Sequence, residues 1–119
     1  MPSAASTGAG MEERAADYLS RNGYRVLERN YRTRFGEIDI VAFAGEVLAF
    51  VEVRYRKPAS LVTAEESITR EKRRRLKLAI RRYLGEREVS DRVPVRVDLC
   101  VVRDSGRSFE ILAGIVEVP

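Results

Sequence analysis

Histidine is absent from this chain, and cysteine occurs once. The missing histidine removes histidine-assisted nucleophile triads and histidine-ligated zinc. The single Cys100 can form neither an internal disulfide nor a structural zinc cluster. Its place in an apolar, strand-like run predicts core packing, and an unpaired cysteine fits a reducing, cytoplasmic setting. No apolar run approaches the roughly 18 residues that a membrane span needs, so no membrane partner is expected. Residues Met1 to Gly10 are small and polar, with neither a basic start nor an apolar stretch. They read as a disordered tail and not as a secretory signal. The polar chemistry left to the chain belongs to Asp, Glu, Lys, Arg, Tyr and Ser.

The 119 residues, 45% of them apolar, fit a single domain, expected over residues 11–119. The net charge of +4 favours an anionic partner. Ala15, Ala16 and Leu19 form the apolar stripe of a helix over 11–22, which Asn22-Gly23 stops. Glu12 lies on the same stripe in the first turn, where acids are favoured in any helix. Tyr24 to Arg32 is strand-like, and residues 36–43 and 47–55 are β-prone runs joined by Gly45-Glu46. Lys57-Pro58-Ala59-Ser60 breaks the third strand, and residues 61–64 read as loop. Ile68, Leu76, Ile80, Tyr83 and Leu84 recur at helical spacing, which predicts a long helix over 65–84 with Gly85 as its stop. Alternating Val95, Val97, Leu99 and Val101 give a fourth strand over 93–102. Asp104-Ser105-Gly106 is a turn, and Phe109 to Val118 is a weaker last strand or an extended tail.

The most informative residues are Asp39 and Glu52, one on each arm of the central hairpin. If Gly45-Glu46 is a two-residue loop, residues 44 and 47 pair, and the register carried outward sets Asp39 opposite Glu52. Directly paired side chains share a face with Cβ atoms about 5 Å apart, and two carboxylates at that distance repel. A divalent cation turns that repulsion into attraction, because hard cations take carboxylate oxygens. The same register pairs Glu37 with Arg54, so one face of the hairpin would carry Glu37, Asp39, Glu52 and Arg54. A cross-strand ion pair with two solvated acids is the plain alternative. Against it, Ile38, Ile40, Val51 and Val53 make the opposite face apolar, as in a buried central strand. Buried acids must be paired or bind a cation.

An acid in a hairpin followed by Glu-x-Lys on the next strand is the pattern of the PD-(D/E)xK nuclease superfamily, whose core order is α-β-β-β-α-β. More closely, the run GEIDIVAFAGEVLAFVEVRYR resembles the bacterial YraN-type family of uncharacterised endonuclease-like proteins. The EERAADYL helix, GYRVLERNYR, and a basic helix followed by RVDLCVV fit that family as well. The resemblance covers residues 12 to about 118. It implies a restriction-endonuclease-like α/β core, with a mixed central sheet flanked by helices. It also implies a DNA endonuclease that uses Mg2+ or Mn2+, with branched or structured DNA as a candidate substrate. The implied metal ligands are Asp39 and Glu52, completed by the helix-borne Glu12. A homodimer stays open, since many nucleases of this kind cut two strands as pairs.

The chain departs from the superfamily at Arg54, where lysine is usual. Arginine can hold a phosphate through two bonds but does not release a proton at neutral pH. The alternative is therefore a nucleic-acid-binding module that no longer cuts. Lys72 interrupts the inward stripe of the second helix and is the candidate for activating water in place of the missing lysine. Otherwise its stem lies along apolar surface. From Arg70 to Arg82 this helix holds eight basic residues and one acid, Glu71. Beside a phosphate-cleaving hairpin, Arg70, Arg73, Arg74 and Lys77 read as a nucleic-acid surface, together with Arg32, Arg34 and Arg56. Tyr31 and Tyr55 could stack on bases, though tyrosines at strand edges more often pack.

Overall fold

A computed structural model of the protein describes residues 8–57 and 63–116. The chain runs α1 (Gly8–Arg21), β1 (Tyr24–Arg32), β2 (Glu37–Ala44), β3 (Val47–Tyr55), α2 (Arg70–Glu86), β4 (Val95–Arg103) and β5 (Ser108–Val116). The class is mixed α/β, as the sequence predicts. The strands lie in the order β1-β2-β3-β4-β5. Only β3 and β4 are parallel, and α2 makes the crossover that parallel neighbours require. The last run forms a full edge strand, antiparallel to β4.

The central hairpin closes as its sequence demands. Gly45, at φ 63, occupies the left-handed region that a two-residue loop needs, and Ala44 pairs with Val47. The register then holds to Ile40 opposite Val51. β3 is the middle strand, and both its faces are covered. Leu48 and Phe50 pack with Leu76, Ala79, Ile80 and Tyr83 of α2. Ala49 and Val51 pack with Ala15, Ala16 and Leu19 of α1. The alternation of β2 breaks near Asp39: Ile40 joins the α1 side, yet Ile38 joins the α2 side.

Several boundaries differ from the sequence reading. Of the expected tail, residues 1–7 lie outside the described residues, and residues 8–10 already belong to α1. The expected break and loop after β3 fall largely on residues 58–62, also outside the described residues. α2 begins at Arg70, not at 65, because Thr69 caps it: Thr69 Oγ1 accepts from the Lys72 amide at 3.2 Å. Ile68 is buried, but from the preceding turn, against Leu99 and Val101. At its far end α2 runs through Gly85 to Glu86. Glu88, at φ 50, takes the left-handed position, and the Val89 amide reaches back to the Leu84 carbonyl at 3.0 Å.

Cys100 is buried on the α1 side, as expected, and burial pushes its thiol up to about 12. Asp98 is also wholly buried, but it is fully partnered. It accepts from the Tyr24 hydroxyl at 2.6 Å, from Arg96 at 2.7 and 2.8 Å, and from the Gly114 amide at 3.0 Å. This carboxylate joins β4 to the start of β1 and to β5. Removing one partner of a buried, hydrogen-bonded charge pair destabilises by about 3–5 kcal/mol. Asp98→Ala is expected to lose that much, read as a lower urea midpoint with an unchanged m-value.

Candidate functional site

Asp39 stands where β2 leaves its regular pairing with β3. Its Oδ2 accepts from the main-chain amide of Val53 at 2.8 Å. The side chain thus takes over a ladder donor next to the Asp39–Glu52 position, and its carboxylate is fixed to β3 instead of swinging into solvent. Around it gather Glu12 from α1 and Glu37 from β2. One carboxylate oxygen from each of Glu12, Glu37 and Asp39 lies within 4.8 Å of the other two.

Asn30, on the edge strand β1, sits at φ 55, a left-handed conformation that asparagine tolerates. Its amide, oriented by its hydrogen bonds, donates to Glu12 Oε2 and to Glu37 Oε1, the latter at 3.1 Å. One neutral side chain therefore spans two of the three acids. Glu37 is also paired loosely with Arg32 at 3.8 Å. The expected Glu37–Arg54 pairing does not form, because the β2–β3 register ends at Ile40 and Glu37 pairs across to Arg32 on β1.

Glu52 lines the same pocket as Asp39, about 310 Å³ in volume, with Gly36, Glu37, Thr69, Lys72, Arg75 and Leu76 among its other walls. The two acids therefore open to one cavity, on the side of the sheet that α2 covers. Glu52 is buried, and its charge is met by Lys72 Nζ at 2.7 Å and by Arg54 at 3.6 Å. Lys72 reaches this acid from the first turn of α2, so its ammonium enters the site rather than lying along apolar surface. The Arg54 Nε is buried without a hydrogen-bond partner among the described residues, and so is that of Arg56 just beyond β3. Asp39 has no cationic partner among the described residues.

The remaining basic residues spread over two surfaces. Arg70, Arg73 and Arg74 are exposed on α2, with Arg74 and Arg75 both tied to Glu71. Lys77 is half-buried farther along α2. Arg32 enters the turn between β1 and β2, and Arg34 sits at its tip. Tyr31 packs edge-on against Tyr83, as tyrosines at strand edges usually do, whereas Tyr55 is exposed. Sequence reasoning placed Glu37 on the right face but assigned it to Arg54. Its spacing of two from Asp39 was the signal that both acids could serve one site. Asn30 carried no such signal, because its role depends on a backbone conformation.

Burial, and then the neighbouring Glu52 carboxylate, push Asp39 up from 3.8 to about 8; Glu12 and Glu37 add to the shift, and the Val53 amide opposes it. Glu12 is raised as well, by burial first and by Glu37 next. A carboxyl whose folded value is raised binds its proton more tightly in the folded state. The metal-free protein therefore loses stability as pH climbs from 3.8 toward about 8. Asp39→Asn removes that loss and can still accept from Val53. In chelator at pH 7.5 the variant is expected to be more stable than wild type by on the order of 1–3 kcal/mol, with the difference vanishing at pH 4. Thermal unfolding at the two pH values reads this directly; equal melting temperatures at both would count against the raised value.

Comparison with known proteins agrees with the motif. A family model described as Uncharacterised protein family UPF0102 matches residues 11–102. A UPF0102 protein of Lachnoclostridium phytofermentans is 44% identical over 95 residues, 80% of each chain. One from Carboxydothermus hydrogenoformans is 42% identical over 102 residues, 86% of each chain. One from Dechloromonas aromatica reaches 51% over 77 residues, 65% of this chain and 64% of that one. With identity at this level over most of its length, the chain belongs to the UPF0102 family, which is the YraN-type family that its hairpin resembles.

Proposed function

We propose that this protein is a divalent-metal-dependent nuclease with a restriction-endonuclease-like core that hydrolyses phosphodiester bonds in DNA. One observation carries the reading. Carboxylate oxygens of Glu12, Glu37 and Asp39 converge with only the loose Arg32–Glu37 pair at 3.8 Å to offset them among the described residues, and Glu37 and Asp39 line a pocket together with the Glu52–Lys72 pair and the basic helix. Like charges brought this close need a counter-ion, and hard oxygen donors in such a group suit Mg2+ or Mn2+. Glu12, Glu37 and Asp39 would hold the ion, and Glu52 faces the same cavity from β3. When bound, the ion supplies a lowered pKa for water and stabilises charge on the phosphate under attack.

The chain's own residues account for the rest. Lys72 stands in for the lysine that the strand motif lacks. Its ammonium is anchored on Glu52 and keeps further N–H donors for water or a phosphate oxygen. Arg54 is fixed beside Glu52 and retains an unused buried N–H, which suits a guanidinium that waits for a phosphate. Asn30 holds Glu12 and Glu37 at a set separation before any ligand arrives. The N-terminus of α2 faces the pocket through Thr69 and Lys72, and its positive dipole end favours anions there.

A second reading, a nucleic-acid-binding module that does not cut, is favoured by Arg54 and by the cationic neutralisation of Glu52. Two measurements separate the two, and a third tests the positioning of the ligands. Wild-type protein with Mg2+ is expected to cleave linear or junction DNA, and Asp39→Asn to abolish cutting; equal cutting by both would place the activity elsewhere. Calorimetry with Mn2+ should give a single carboxylate-dependent site. Binding that persists unchanged in Asp39→Asn, or no binding in wild type, would favour the non-cutting module. Asn30→Ala is expected to weaken Mn2+ binding roughly 10- to 100-fold, as loss of a group that orients ligands does elsewhere, with little change in melting temperature.

A further inference from the structure

The turn joining β1 to β2 is held more firmly than its exposed position requires. Thr33 Oγ1 accepts from the amides of Phe35 at 3.0 Å and Gly36 at 3.1 Å, and the Thr33 amide donates to the Gly36 carbonyl at 2.9 Å. This fixed turn carries Arg34 and Phe35 at its tip and Arg32 at its entrance. Opposite lie Arg82 and Glu86 near the end of α2. Together Arg32, Thr33, Arg34, Phe35, Arg82 and Glu86 line a pocket of about 350 Å³. Three guanidinium groups thus face a cavity with a single carboxylate.

That carboxylate is already engaged. Glu86 accepts from the Tyr31 hydroxyl and from Arg82 Nε at 3.1 Å. Arg34 has no carboxylate partner among the described residues, and its guanidinium lies over the Phe35 ring at 4.9 Å. Arg32 is 77% exposed and only 3.8 Å from Glu37. Exposed pairs of this kind contribute little, whereas a phosphate offers an arginine two charge-assisted bonds. The pocket is therefore poorly neutralised and free to take an anion. Moving Arg34 onto that anion would also uncover the Phe35 face, on which a base can stack.

The pocket neighbours the candidate cleavage site along the chain, since their lining residues meet at Phe35 and Gly36. Gly36 and Glu37, at the end of the same turn, line the cavity of Asp39 and Glu52. α2 borders both cavities, with Lys72 at one and Arg82 at the other. Ten helical residues rise about 15 Å, which equals four to five nucleotides of a duplex strand at about 3.4 Å each. We propose that Arg32, Arg34 and Arg82 form a second phosphate subsite, which grips the DNA strand four to five nucleotides from the bond being cut. The proposal rests on the nuclease reading for its second anchor point.

The test compares wild type with the triple variant Arg32→Ala, Arg34→Ala, Arg82→Ala, after thermal unfolding has established that both are folded. DNA binding is measured in chelator across a salt series by fluorescence anisotropy. Each lost phosphate contact lowers the slope of log affinity against log salt by about 0.9. The triple variant is expected to lose about 2.7 units of slope, one contact for each arginine, and to bind roughly tenfold or more weakly at moderate salt. An unchanged slope overturns the subsite whether or not wild type cuts. Position is read in Mg2+ from end-labelled duplexes shortened on one side of the cut. Wild-type cleavage should fall once fewer than about four nucleotides remain there, and the triple variant should be insensitive to that trimming. Equal sensitivity of both proteins would place the grip elsewhere. Wild type that binds with the expected slope but never cuts would fail the nuclease reading and leave the basic pocket standing. An absence of salt-sensitive DNA binding would remove both.

Discussion

The ion pair between Glu52 and Lys72 is the constraint around which the rest of the molecule is arranged. Glu52 lies on a strand covered on both faces, where a lone carboxylate would lose several kcal/mol of hydration. Its cation cannot come from β3 itself except at the longer reach of Arg54. It comes from the first turn of α2, at 2.7 Å. That contact sets where α2 begins over the sheet, and the Thr69 cap makes the start sharp. A helix anchored there leaves a gap between its N-terminus and the start of β2. The gap is the pocket into which Asp39 and Glu37 open.

Asp39 and Asp98 show how differently one fold treats two carboxylates. Asp98 is the more deeply buried, yet it has a hydroxyl, an amide and a guanidinium for partners. It is a satisfied group that ties three strands. Asp39 has one amide and two acidic neighbours besides Glu52. Nothing in packing calls for that crowding, because a leucine or asparagine would fill the space without repulsion. Groups left unfavourable by their surroundings collect where a ligand completes them, and α1, β1 and β2 each contribute a residue to this arrangement.

The hairpin was legible because its signals were local. Gly45 needs the left-handed region, the flanking runs alternate, and together they set the register that brings Asp39 toward Glu52. The inward Lys72 was legible from its place in an apolar stripe. The start of α2 was not, since Ile68 continues the helical period into a turn and only the Thr69 cap breaks it. The Asp98 network was invisible for a different reason: the hydroxyl that completes it is 74 residues away. Glu37 was placed on its face but given the wrong neighbour, because an even register was carried past the point where β2 leaves β3. Asn30 depends on a left-handed residue within an edge strand, which no pattern of residue types encodes.

Cys100 has a practical consequence. Its sulfur is sealed beneath α1 and held far from ionisation. Thiol reagents act on the exposed thiolate, so this residue stays silent toward maleimides and spin labels under mild conditions. A cysteine introduced at the exposed Tyr55 would then be modified alone, without first deleting the native one. The wild-type background is in effect a ready-made single-label scaffold for fluorescence or paramagnetic distance work.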